Sequence, residues 1–176
     1  MEKGQVMKYK DCLKELSKGA ALAVLVTGIV AGTVKINAAG TDTSLPELYQ
    51  VHCKEIGRKY DICPELLEAV IEEESSGDPD AVGAAGEIGL MQVYPKYHLD
   101  RAERLGVSNL FSPKGNILVG ADYLAELFRE YEDMGTVLMI YNGTADAVEL
   151  GEKGEYTEYA KSIIKRTEQL ERLHKK

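Results

Sequence analysis

The chain of 176 residues contains no tryptophan and only two phenylalanines, so any aromatic surface must come from its ten tyrosines. Histidine and cysteine are scarce, three of each. His52, His98 and His174 are scattered, and neither a Cys-x-x-Cys nor a His-Glu-x-x-His spacing occurs. The usual metal-ligand patterns are therefore missing, and no metal or other cofactor is expected. Asp78-Pro79-Asp80 starts like a calcium loop, but the carboxylate needed at the loop's last position is replaced by Gly89. Positive charge is also short: 21 Lys and Arg stand against 29 Asp and Glu, a formal net charge of −8. There is no basic stripe, which argues against nucleic acid as a partner. Strict alternation of apolar and polar residues is almost absent, which argues against a sheet. Repeats and low-complexity tracts are absent as well.

Among the features present, an amino-terminal leader comes first. Residues 20–34 form an uncharged, mostly apolar run, preceded by lysines 3, 8, 10, 14 and 18 and followed by Ala38-Ala39-Gly40. This order is the plan of a secretory signal peptide cut near Ala38 or Ala39. Fifteen residues fall short of the roughly 20 that span a bilayer. An uncleaved anchor is the rival reading, kept open by Lys35 and by non-ideal residues before Ala38. Either reading puts the following domain outside the cytoplasm, with membrane anchoring through residues 20–34 as the alternative to secretion. Cys12 lies in this leader. Cys53 and Cys63 are left as a disulfide, which an exported protein permits, or as two buried thiols.

The remainder, long enough for one domain with a real core, reads as mainly α. Residues 40–45 are a polar linker, and Ser44-Leu45-Pro46-Glu47 looks like a capping box for a helix reaching about Lys59. Pro64 suits the first position of the next helix. Residues 77–89, rich in Gly, Asp and Pro, predict turns or a small hairpin. Helical stretches follow near 98–105, from Pro113 or Lys114 to Tyr131, over Thr136–Tyr141, and from Tyr156 to about Leu173. In the third of these helices from Pro64, Ile117, Leu118, Ala121, Leu124, Ala125 and Phe128 form the buried stripe.

One carboxylate stands out. In the helix opened by Pro64, each residue turns the side chain by about 100°. Leu66, Leu67, Val70 and Ile71 define the apolar stripe, and Glu65, Glu68 and Glu72 fall roughly opposite it. Glu73 lies at its edge, whereas Glu74 falls within about 10° of its centre. An apolar setting penalises a charged carboxylate and raises its pKa, which is what a general acid needs. The competing reading is that Glu74 only ends the helix where Ser75-Ser76-Gly77 opens to water.

The residues around Glu74 resemble the signature of the soluble lytic transglycosylases, which runs Glu-Ser, a polar turn, then Gly-Ala-x-Gly-Leu-Met-Gln. Here the matching parts are Glu74-Ser75 and Gly86-Glu87-Ile88-Gly89-Leu90-Met91-Gln92. Asn116-Ile117 with Gly120 and Tyr123-Leu124, then Ile140-Tyr141-Asn142-Gly143, then Tyr159-Ala160, match later blocks in order. The resemblance covers roughly residues 46–170. It implies a lysozyme-like fold of the goose-type and transglycosylase kind, with residues 46–176 as the catalytic domain, and peptidoglycan glycan strands as the substrate. It also implies that Glu74 alone does the chemistry, without the second carboxylate that most glycosidases use. Asp78, Asp80 and Glu87 are the loop acids at hand, and each reads more simply as a turn or surface residue. On the same resemblance Ser75 would bond the acid or the sugar, Met91 and Gln92 would line the cleft, Tyr141 and Asn142 would shape sugar subsites, and Tyr159 would donate its hydroxyl to Glu74. Gly83 stands where many members carry a serine, and Gly143-Thr144 replaces the usual Ala-Gly. A goose-type muramidase, which adds water, and a non-catalytic wall-binding module are the alternatives.

Overall fold

The computed structural model describes residues 45–174. The leader, Cys12, and all but Leu45 of the linker lie outside the described residues. Seven helices form the described part: α1 (Glu47–Tyr60), α2 (Pro64–Ser75), α3 (Pro95–Arg104), α4 (Pro113–Glu130), α5 (Met134–Tyr141), α6 (Ala147–Glu152) and α7 (Glu158–His174). Helix α1 starts after Pro46, which offers no side-chain cap. Asp61 closes it in the left-handed conformation, φ 59°, with its N–H donated to the Gly57 carbonyl. Pro64 opens α2, where its fixed φ fits and its missing N–H costs nothing. Asp133 caps α5 by accepting the Thr136 N–H at 2.7 Å. Helix α6 escapes the sequence reading, because six residues are too short to display a 3.6-residue period.

Helix α2 is the structural axis. It packs along α7 and against α1, α1 also packs on α4, and α5 bridges α4 and α7. Leu66, Leu67, Val70 and Ile71 form the buried stripe as the period predicts. Burial reaches further round the helix than the stripe does. Glu68, expected on the outer side, is only 2% exposed, because neighbouring helices enclose α2 on more than one side. Of the α4 stripe, Ile117, Ala121, Leu124, Ala125 and Phe128 are buried and Leu118 is half-buried, while Val119, Gly120 and Leu127 are buried too. Cys53 and Cys63 are both buried and form no disulfide with each other, and the Cys63 thiol donates to Glu65 Oε2 at 3.0 Å. No helix among the described residues is long and apolar enough to cross a membrane.

Among the described residues, strand content is confined to the segment after α2, where Val82 and Ile88, then Ile88 and Val93, form isolated antiparallel bridges. A buried asparagine anchors this hairpin-like loop to α4. Asn116 accepts the Met91 N–H at 2.7 Å and donates to the Ile88 and Leu110 carbonyls, both at 2.8 Å. A fully buried amide is tolerated only when its polar atoms are satisfied in this way. Gly89 makes the approach possible. Its φ is +75°, and a Cβ there would lie 2.4 Å from Asn116 Nδ2. Both the left-handed backbone and the contact require glycine. The Gly-Leu-Met-Gln block and the Asn-Ile block are thus two halves of one joint.

Candidate active site

Glu74 is the penultimate residue of α2, where the helix runs out of the core and into the loop. Its carboxyl is half-buried, and Oε1 accepts a short hydrogen bond from the Tyr159 hydroxyl on α7. Burial pushes this carboxyl above the ordinary glutamate value, the Tyr159 hydrogen bond pulls it back, and the negative charges of Glu73 and Glu87 push it up again. The balance is upward, so the group keeps its proton to higher pH than a surface glutamate. Tyr159 is itself driven far above the ordinary phenol value, first by burial and then by the Glu74 charge, so it stays a donor.

Three consecutive glutamates meet three residues of one α7 face. Arg166 Nη2 donates to Glu72 Oε1 at 2.9 Å, Ser162 Oγ donates to Glu73 Oε2 at 2.8 Å, and Tyr159 serves Glu74. Positions 159, 162 and 166 repeat at the three- and four-residue spacing that shares a helix face. Glu72, Glu73, Ser162 and Arg166 line a small hollow of about 310 Å³ of their own, together with Lys165 and Gln169, while the Glu74 end of the seam lies toward a second, larger cleft.

That cleft is a hollow of about 460 Å³ whose walls include Glu87, Gln92, Tyr94, Tyr97, His98, Tyr123, Tyr141 and Asn142. Glu87 is within electrostatic reach of Glu74, and Tyr141 feels the Glu74 charge as well. The acid thus lies within electrostatic reach of two residues of the hollow's wall. Aromatic rings floor it in sequence. Tyr141 and Tyr123 have centroids 5.5 Å apart, Tyr123 and His98 4.7 Å, and Tyr94 meets Tyr97 edge-on at 5.0 Å. Arg101 lies over the Tyr123 ring at 5.2 Å and is held by Asp122 and by Glu126, the latter at 2.9 Å. Ring faces of this kind offer apolar contact to sugars, with polar edges beside them. A larger hollow of about 630 Å³, walled by Leu99, Val107, Leu110 and Phe111, is apolar and holds no comparable meeting of acid and donor.

The sequence-selected residues divide into several groups. Glu74 and Tyr159 meet directly, and Gln92, Tyr141 and Asn142 line the hollow. Asn142 is exposed at its rim, just beyond the end of α5. Tyr141 donates its hydroxyl to the Met91 carbonyl at 2.9 Å, which ties α5 to the loop. Two expectations need correction. The Met91 side chain is 0% exposed, so it belongs to the core and not to the cleft wall. The reason is Gly120, where a Cβ would lie 2.7 Å from Met91 Sδ; the missing side chain on α4 is the socket for the methionine. The Ser75 hydroxyl is committed to the Leu90 carbonyl at 2.8 Å and to the Ile71 carbonyl at 3.1 Å. It fastens the end of α2 to the loop, where the resemblance implies a bond to the acid or to the sugar.

Sequence reasoning missed Glu87, His98 and Arg101 as cleft residues. A histidine and an arginine at three-residue spacing on α3 mark one face, but nothing local says that this face meets Tyr123. Among the described residues no cluster of His, Cys, Asp or Glu has metal-binding geometry.

With this geometry in view, comparison with known proteins gives a consistent result. The family described as the Transglycosylase SLT domain matches residues 52–164. A protein named Transglycosylase from Enterobacteria phage PRD1 is 37% identical over 95 residues, covering 54% of this chain and 34% of the phage protein. Membrane-bound lytic murein transglycosylase C of Actinobacillus pleuropneumoniae is 30% identical over 150 residues, covering 77% of this chain and 39% of that protein. Membrane-bound lytic murein transglycosylase E of Buchnera aphidicola is 32% identical over 149 residues, covering 70% and 67%. The chain thus spans a third to two-fifths of the first two of these relatives. An X-ray structure of an inactive mutant of lytic transglycosylase Slt from Pseudomonas aeruginosa superposes with a TM-score of 0.57 at 17% identity, over 72% of this chain and 25% of that one. That likeness concerns the fold, which is mainly α and lysozyme-like. Since the family match covers residues 52–164 of the 176, the chain belongs to the transglycosylase SLT domain family.

Proposed function

We propose that this protein is a peptidoglycan lytic transglycosylase in which Glu74 is both general acid and general base. The observation that carries the reading is the half-buried Glu74 carboxyl, raised in pKa, hydrogen-bonded by Tyr159 and within electrostatic reach of Glu87 and Tyr141 in the wall of a tyrosine-lined cleft. The relatives named as murein transglycosylases support the same substrate class. In the first step Glu74 gives its proton to the glycosidic oxygen between N-acetylmuramic acid and N-acetylglucosamine, while the substrate's own N-acetyl group assists departure. In the second, the resulting carboxylate takes the proton of the muramoyl 6-hydroxyl as that oxygen closes on the anomeric carbon. The products are a free N-acetylglucosamine end and a 1,6-anhydro-muramoyl end, with no water consumed. A raised pKa serves the first step, and the Tyr159 hydroxyl steadies the carboxylate left for the second.

Gln92, Tyr141 and Asn142 are the proposed glycan contacts. Ser75 and Met91 enter this scheme only by holding the loop. Residues 46–176 form the proposed catalytic domain, and residues 1–39 a signal peptide or membrane anchor that carries it out of the cytoplasm. The decisive experiment is digestion of purified sacculi followed by mass analysis of the fragments. The parent should release anhydro-muropeptides, and Glu74→Gln should lose a hundredfold or more of the rate, on the order of a general acid's contribution. Reducing ends in place of anhydro ends would indicate a muramidase, and undiminished digestion by Glu74→Gln would remove Glu74 from the chemistry.

A further inference from the structure

We propose that Glu87 is a second carboxylate of the reaction centre, a fixed negative charge in the cleft wall facing the positive charge that develops on the sugar ring. The inference rests on the reading of Glu74 as the acid. It leaves the proton inventory unchanged: Glu74 moves the protons, and Glu87 moves none.

The backbone aims the side chain. Ile88 pairs with Val93 through mutual N–H to carbonyl bonds of 2.9 and 3.0 Å, and the Gly83 N–H reaches the Glu87 carbonyl at 2.8 Å. Neighbouring residues of an extended segment point to opposite sides. Ile88 turns toward the core, and Glu87 consequently turns into the hollow that Tyr141 and Asn142 also wall. Its carboxylate is held there, because Oε2 accepts the Ala85 N–H at 3.1 Å.

Gly83 makes the room. A Cβ on Gly83 would lie 2.4 Å from Glu87 Oε2 and 2.7 Å from Gln92 Oε1. A serine at position 83 could therefore not coexist with Glu87 in this position. Gln92 takes a left-handed φ of 44° and donates its amide to the Gly89 carbonyl at 3.0 Å, which leaves Oε1 turned toward Gly83. Where the transglycosylase pattern reads Gly-Ala-x-Gly, this chain reads Gly86-Glu87-Ile88-Gly89. An acid in place of alanine and a glycine in place of serine are one exchange, with the carboxylate filling the space that the serine side chain gives up.

The chemistry favours a charge at this place. Glycoside cleavage passes through an oxocarbenium-like state, and carboxylates in unlike surroundings divide the work of acid and electrostatic partner. The groups that face Glu74 are Tyr159 from α7, Tyr141 from α5, Glu73 beside it on α2, and Glu87 from the loop. Of these, Glu87 is the carboxylate that also borders the hollow. Its charge opposes ionisation of Glu74, which favours the acid form before cleavage.

Glu87→Gln is the test, because glutamine can still accept the Ala85 N–H while the charge is gone. The variant should lose on the order of tenfold to a hundredfold in rate on sacculi at the parent's optimum. The alkaline limb of its kcat/KM profile should move to lower pH, with thermal stability kept near the parent's. Glu87→Asp, which restores the charge on a shorter arm, should recover part of the rate. Parental rate and limb in Glu87→Gln overturn the proposal. A rate loss with an unmoved limb overturns it too, since that is the mark of a merely structural residue. Glu74→Gln run alongside separates the two readings: if it stays active, the acid assignment fails, and if it is inactive while Glu87→Gln behaves as the parent does, only the present inference fails.

Discussion

Helix α2 carries two glutamates whose carboxyl pKa is raised chiefly by burial, and their surroundings differ in kind. Glu68 sits in its middle, 2% exposed, with Oε1 lacking any hydrogen-bond partner. Burial pushes its carboxyl up to about 7, with smaller contributions from His174, Glu65, Lys54 and Glu72 that partly cancel. Glu74 sits at the end of the helix, half-buried, with a phenol hydroxyl on one oxygen and the cleft residues Glu87 and Tyr141 within electrostatic reach. Both pKa values are raised, and burial is the leading cause of both. A raised pKa is therefore not what distinguishes the proposed acid. A donor that steadies the ionised form, and space for a substrate next to it, are what Glu74 has and Glu68 lacks.

Exchanging the two acids one at a time gives the sharpest contrast. Glu74→Gln should abolish a hundredfold or more of sacculus digestion, while Glu68→Met should digest at the parental rate; muropeptide release over time reads both. The stability effect should run the other way. In the folded protein Glu68 holds a proton that the unfolded chain releases at the ordinary value of 4.5, so the parent loses stability as pH rises from there through about 7. Above that range the penalty approaches 3 kcal/mol, roughly 1.4 kcal/mol for each pH unit between the two values. Thermal melts of Glu68→Met should accordingly gain up to about 3 kcal/mol over the parent at pH 8 and little at pH 4.

Taking away the donor brings the two acids closer together. Tyr159→Phe leaves Glu74 buried without its hydroxyl partner. The alkaline limb of activity should move to higher pH and the rate should drop roughly tenfold, the order expected when a hydrogen bond to a charged group is lost. This shift is opposite in direction to the one expected for Glu87→Gln, so the pair of pH profiles tells the two neighbours apart. The smallest effect belongs to the exposed member of the seam. Ser162→Ala removes the partner of Glu73, and it should change stability by less than about 0.5 kcal/mol and leave digestion unaltered.

How much of this is readable from sequence depends on the range of the cause. The α2 stripe and the position of Glu74 at its centre follow from local period. So do several helix limits, because Pro64 and Pro113 each open a helix and the Ser75-Ser76-Gly77 turn closes α2, whereas α3 begins at Pro95, ahead of the stretch expected near 98–105. The burial of Glu68 depends on helices that arrive from far along the chain. Met91 looks like a cleft residue until its socket at Gly120 is seen, 29 residues away. Glu87 looks like a turn acid because its direction is set by the pairing of Ile88 with Val93, and a slip of one residue would send it outward. Ser75 is adjacent to the acid in sequence, yet its hydroxyl is claimed by Leu90, which a linear pattern cannot reveal.

The bond between Glu74 and Tyr159 joins residues 85 positions apart, and on the proposed function it has a consequence for when activity first appears. A wall-cutting enzyme that worked while still being synthesised or threaded through a membrane would act in the wrong place. Here the acid is made early and its partner late, on the last of the described helices, so a chain whose α7 has not docked presents Glu74 as an ordinary solvated carboxylate. On the proposed function, completion of folding is in that sense the safety catch: the tool is armed by the docking of its last described helix.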